Sequence, residues 1–254
     1  MRNLENPRQS ALFFSSKKSA RDPAPVTLDG KNLPWVKKIS HLGCTLESDN
    51  SMRTDLICKR GQFIGKANSL LQEFHYTSPE TMFKLVDTYA TSCYGSPLWD
   101  LTSNEAEKLY KSWNVLVRNI LDLDRKTHQF LIEPLSGHLH LKTMLMSCFV
   151  SFYKGLVDSP ILTVRFLARL AEKDMRTVMG KTLHYLLGEC NCEQLEDLTP
   201  HIVKKRLVYK IATHDQTWQV AFAQELQGIR NEDATVQGFT KEELRTIFHY
   251  VCTE

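Results

Sequence analysis

The apolar residues of this chain change their spacing near residue 50. Before that point, short alternating runs are interrupted by Gly, Pro and Asp. After it, apolar residues recur every three or four positions. A two-residue period belongs to strands and a 3.6-residue period to helices. The switch predicts a mainly α protein with a small antiparallel β hairpin or sheet at the N-terminus, α+β overall. With 254 residues, 42% hydrophobic and 24% charged, the chain can build a buried core and does not have the composition of a disordered one.

Residues 10–14 (SALFF) read as a short strand, and 15–25 as a Pro-containing loop. Residues 26–36 flank Asp29-Gly30 with alternating apolar positions, a hairpin signal because such a turn needs positive φ. Residues 38–46 (KISHLGCTL) read as one further strand, with Gly43 permitting a bulge or a close backbone approach. Over 53–74, Leu56, Phe63, Ala67, Leu70, Leu71 and Phe74 share one helical face. Ser78-Pro79 opens a second helix, expected to end near Gly95, with Ser as cap and Pro at the first helical position. Ser103 opens a third, with Leu109, Trp113, Leu116, Val117 and Ile120 as its buried stripe. Further helices are expected at 139–157, 160–172, 175–187, 200–211, 216–229 and 241–252, the last preceded by a Thr240/Glu243 pair at capping-box spacing. The texture divides the chain into a β-rich segment (1–50), a helical unit (51–135) and a helical C-terminal region (136–254).

Charge is unevenly spread. Residues 1–76 hold twelve Lys/Arg against seven Asp/Glu, a local net charge of +5 in a chain of net +3. A basic N-terminal third suits contact with phosphates, although a solvated surface has the same composition. Seven scattered cysteines fit reduced thiols in an intracellular protein better than a disulfide framework. The first residues lack a signal peptide's apolar core, and no uninterrupted apolar run reaches the ~18 residues of a membrane span. An intracellular location, in cytoplasm or nucleus and off the membrane, is the expectation.

Three stretches, in order, resemble the region downstream of the active site in non-LTR (LINE-type) retrotransposon reverse transcriptases. Asn6-Pro7-Arg8-Gln9-Ser10, with the apolar residues after it, looks like the "NPxKS" segment that closes the palm. Residues 26–36 followed by Ile39-Ser40-His41-Leu42-Gly43 look like the primer-grip hairpin and its "LG" turn. Tyr94-Gly95-Ser96-Pro97-Leu98-Trp99-Asp100, with Trp113-Asn114 and Arg118, is similar to a "YGSxLW…WN…R" block of the thumb and post-thumb region. The match is good over 1–135, faint to about 190 and unreadable beyond.

The resemblance implies a palm remnant with primer grip over 1–50 and a thumb-like helical bundle over 51–135, followed by more helices. It implies contacts to the phosphates of an RNA–DNA or DNA duplex through Leu42, Gly43, Arg53, Lys59, Arg60 and Lys66. In that family, paired Mg²⁺ ions on palm aspartates carry nucleotide transfer. No Tyr-x-Asp-Asp occurs in this sequence, so no catalytic residue and no bound cofactor are expected of it, and inactivity on its own is. Gln9 stands where the family has a lysine, and a neutral amide cannot act as a general acid.

Other constellations are weaker. Cys190 and Cys192 with His184 and His201 lack the paired spacing of a zinc site, and His138 with His140 lacks a third ligand. Asp122 and Asp124 read as a solvated turn, Cys93 as a small hydrophobe, and Trp99 and Trp113 as core residues in preference to base-stacking platforms. The alternative function is a helical protein-interaction scaffold. Its support is the series of apolar stripes through Leu156, Ile161, Phe166, Leu170, Leu183 and Leu186, one of which is expected to be exposed and open to protein association.

Overall fold

A computed structural model describes residues 10–13, 24–49, 51–91, 93–123, 125, 132, 136 and 138–213, with 208–213 as backbone. Among the described residues six short strands come first: β1 (Ala11–Leu12), β2 (Thr27–Leu28), β3 (Lys31–Asn32), β4 (Trp35–Val36), β5 (Lys38–His41) and β6 (Cys44–Glu47). Seven α-helices follow among the described residues: α1 (Arg53–Glu73), α2 (Pro79–Tyr89), α3 (Asn104–Ile120), α4 (Leu141–Val157), α5 (Leu162–Lys173), α6 (Val178–Cys190) and α7 (Pro200–Thr213). The chain is mainly α with small two-stranded sheets. The expected helices at 216–229 and 241–252, the Thr240/Glu243 box and the Asn6–Gln9 part of the palm-like segment lie outside the described residues.

The strands differ from the sequence expectation in two ways. Residues 38–46 do not form one strand. They fold back on themselves as β5 and β6, with His41 opposite Cys44 and Leu42-Gly43 as a two-residue turn. Both turn residues have positive φ, 48° and 77°, which suits the right-handed twist of the strands they join. Asp29-Gly30 makes the same kind of turn between β2 and β3, as its sequence predicts. β4 does not extend that hairpin; Trp35 and Val36 pair in parallel with Ala11 and Leu12.

Helix starts follow their caps. The Ser78 hydroxyl accepts from the Thr81 N–H, Ser103 from Ala106, and Thr177 from Gly180. α2 ends at Tyr89 and not near Gly95: the Ala90 and Thr91 N–H groups both bond back to the Val86 carbonyl, and Gly95 then takes φ 84° in a turn that leads into a short 3₁₀ segment, Ser96–Leu98. A Cβ on Gly95 would run into the Cys44 sulfur, so the turn sits hard against the β5–β6 hairpin. The core is one buried cluster from Cys44 to Leu207, in which Trp99, Val117, Phe149 and Leu186 are wholly enclosed.

Candidate nucleic-acid interface

The residues singled out for phosphate contact lie on the β5–β6 hairpin and α1. Two carboxylates fix how these elements meet. Glu47, at the end of β6, accepts from the Thr54 backbone N–H at 2.7 Å and the Thr54 hydroxyl at 2.8 Å, and pairs with Lys38 at 3.0 Å. Its position supplies what α1 lacks, since the Met52 cap makes no side-chain hydrogen bond. Burial raises the Glu47 pKa, but the Thr54 hydrogen bonds and Lys38 outweigh it and bring the group down to about 2.

Asp55 is the second tie. It is buried, and it accepts from the Thr45 N–H and from the Trp99 indole N–H, each at 2.8 Å. One carboxylate therefore joins β6, α1 and the 94–99 turn. Trp99 is fully enclosed, and Trp113 stacks on Phe63 with ring centroids 6.2 Å apart. Both tryptophans are core residues, and neither offers a face to a base.

The hairpin tip is open. Leu42 is 72% exposed, and a Cβ on Gly43 would meet nothing within 4 Å. Leu42 also breaks a local rule, because a bulky side chain at positive φ costs energy that Asn or Gly would not incur. A strained, exposed apolar residue at a turn tip marks a site of interest. Lys59 lies beside the hairpin, close enough to Cys44 and Cys93 for its charge to act on both thiols. Between Cys93 and Gly95, the exposed Tyr94 adds an aromatic to this neighbourhood. Lys66 follows Lys59 two turns along α1, about 10 Å away at 1.5 Å per residue.

The four cations of α1 do not form one row. At 3.6 residues per turn, Lys59 and Lys66 border one edge of the buried stripe and Arg53 and Arg60 the other. Arg53 pairs with Glu105 of α3 at 2.9 Å, and Arg60 donates to the Ser112 hydroxyl at 3.1 Å. These two guanidiniums are engaged at the α1–α3 seam. Neither Lys59 nor Lys66 has an ion-pair partner among the described residues.

The remaining candidates resolve as structural groups. His140 caps α4: its Nδ1 accepts from the Lys142 N–H at 3.1 Å, so its Nε2–H donates to the Asn114 Oδ1 at 2.8 Å. Burial and the charge of Lys142 lower its pKa to about 4, which keeps it neutral. His138 stacks on Phe83 at 4.1 Å. Burial raises the Cys93 thiol to about 11, away from nucleophilic use. Cys190 is buried, and no group of His, Cys, Asp and Glu able to hold a metal occurs among the described residues. Asp122 is an exposed residue at φ 52°, while Asp124 and Gln9 lie outside the described residues. No described helix is long and apolar enough to cross a membrane.

Sequence reasoning missed Asp55 and Glu47. Acidic residues at or before a helix start read as favourable dipole partners, and nothing local signals that they reach a distant indole or another element's backbone. Compared with known proteins, the chain matches no protein-family model, no curated protein and no solved structure.

Proposed function

We propose that this chain is the template–primer-contacting part of a non-LTR reverse transcriptase. In this reading, Leu42-Gly43 lies against a nucleic-acid strand while Lys59 and Lys66 meet its phosphates. Arg53 and Arg60 add positive potential from the α1–α3 seam. The chain on its own holds a duplex without extending it, because the aspartates that bind Mg²⁺ in that family have no counterpart in its motifs. One observation supports the reading above the others: the "LG" turn and the basic helix, assigned separately to nucleic-acid contact, belong to elements that are tied together, α1 to β6, through Asp55 and Glu47.

The test is duplex binding by the purified chain across a salt series. Phosphate contact predicts affinity that falls linearly in log–log form, with a slope that shrinks by about one for each lysine removed. Lys59→Glu with Lys66→Glu should weaken binding to all duplex sequences alike. Affinity that ignores salt, or a double variant that binds as well as the parent, refutes phosphate recognition. Template-dependent nucleotide incorporation by the chain alone refutes the inactivity.

A further inference from the structure

Helix α5 points its bulky apolar residues at solvent. Leu162, Phe166, Leu167 and Leu170 are 71%, 59%, 57% and 50% exposed, and Ile161 just before them is 59% exposed. Of its own residues only Ala168 is buried. The small side chains Val164, Ala168 and Ala171 form the side that packs on α4 and α6. Leu162, Phe166 and Leu170 follow at intervals of four and stand in one row. Arg165, Arg169 and Lys173 form a parallel row along one edge, and both arginines lack an ion-pair partner among the described residues. Thr163 and Leu167 make the opposite edge, which carries no charge.

We propose that this face docks an amphipathic helix of a partner protein whose apolar stripe is bordered on one side by carboxylates. An apolar row with anchors one turn apart matches helix-on-helix recognition. The cationic edge sets the register and chooses the partner by charge. The charge is one-sided, which argues for a directional partner over a bilayer, where an interfacial helix carries cations across its whole polar face. A second copy is disfavoured in the antiparallel two-fold arrangement, because the Arg165–Arg169 edge would then meet itself. This surface is independent of the nucleic-acid reading and stands or falls without it.

The experiment uses the full chain and two synthetic labelled helical peptides. One has a leucine stripe with glutamates along one edge; the other is its twin with lysines in their place. Fluorescence anisotropy should show the glutamate peptide binding at least about tenfold tighter, and R165E/R169E should reverse that preference. F166A/L170A should weaken both complexes by about tenfold or more. These side chains are at the surface, so unchanged thermal melting checks that each variant folds. Equal affinity for the two peptides, or a preference that survives charge reversal, overturns the proposal. So does sedimentation with vesicles about one quarter phosphatidylserine in the absence of peptide preference, which would make the face a membrane contact. A concentration-dependent dimer abolished by F166A/L170A overturns it in favour of self-association.

Discussion

Asp55 shows how much one side chain can organise. Its two oxygens satisfy a half-buried strand N–H and a buried indole N–H. Asp55→Ala leaves the indole N–H buried and unpaired and takes the acceptor from the half-buried Thr45 N–H, and should cost about 2–4 kcal/mol in urea unfolding. Asp55→Asn keeps one acceptor and should cost less; equal losses would mean that the carboxylate is not shared as described. His140 makes a pH prediction. Its folded pKa, about 4, lies below the ordinary 6.5, so between those values the unfolded chain binds more protons. Its contribution to stability is complete above pH 6.5 and is lost as pH falls through 4. The difference in Tm between the parent and His140→Asn should therefore shrink over that window. A difference independent of pH would contradict a neutral, Nδ1-accepting cap.

At the scale of elements, the β5–β6 hairpin is stable despite its turn. Leu42 holds positive φ in a place that favours Asn. Leu42→Asn should stabilise the chain by about 0.5–1 kcal/mol, read from the denaturation midpoint, and at the same time weaken duplex binding. Stabilisation without any loss of binding would take Leu42 out of the interface. Two helix starts are legible because a capping hydroxyl acts within three residues of itself, as at Ser78 and Ser103. The β5–β6 turn is not, because KISHLGCTL alternates well enough for one strand and Leu is an unfamiliar first turn residue. The end of α2 was misplaced for a related reason. Tyr89 to Gly95 carries no local stop signal, and the turn that follows the helix is set by Gly95 packing against Cys44 of the β5–β6 hairpin, a contact between residues far apart in the sequence.

For the whole molecule, the motif block that carries the family resemblance turns out to be largely architectural. Trp99 holds Asp55, Ser96 is buried, Trp113 stacks on Phe63, and Asn114 accepts from His140. Such residues keep an arrangement; the groups free to meet a ligand are Leu42, Lys59, Lys66 and Tyr94 around them. The buried cluster is continuous from Cys44 to Leu207. Thermal unfolding followed by tryptophan fluorescence and by far-UV circular dichroism should therefore coincide in one transition. Two separated transitions would divide the helical body into independent units near residue 135.

The sequence by itself determined the change from strands to helices, the tight turn at Asp29-Gly30, the helix starts and the buried tryptophans. Those features follow from periodicity and from contacts a few residues long, which a linear chain specifies directly. The tertiary structure decided which charges are engaged. Arg53, Lys59, Arg60 and Lys66 look alike along the sequence, yet α3 supplies Glu105 and Ser112 to the arginines and nothing comparable to the lysines. It also decided that the stripe through Ile161, Phe166 and Leu170 faces outward, since α4 and α6 take up the small side of α5. An ion pair or an exposed face depends on what lies across the gap, and spacing within one helix carries no record of it.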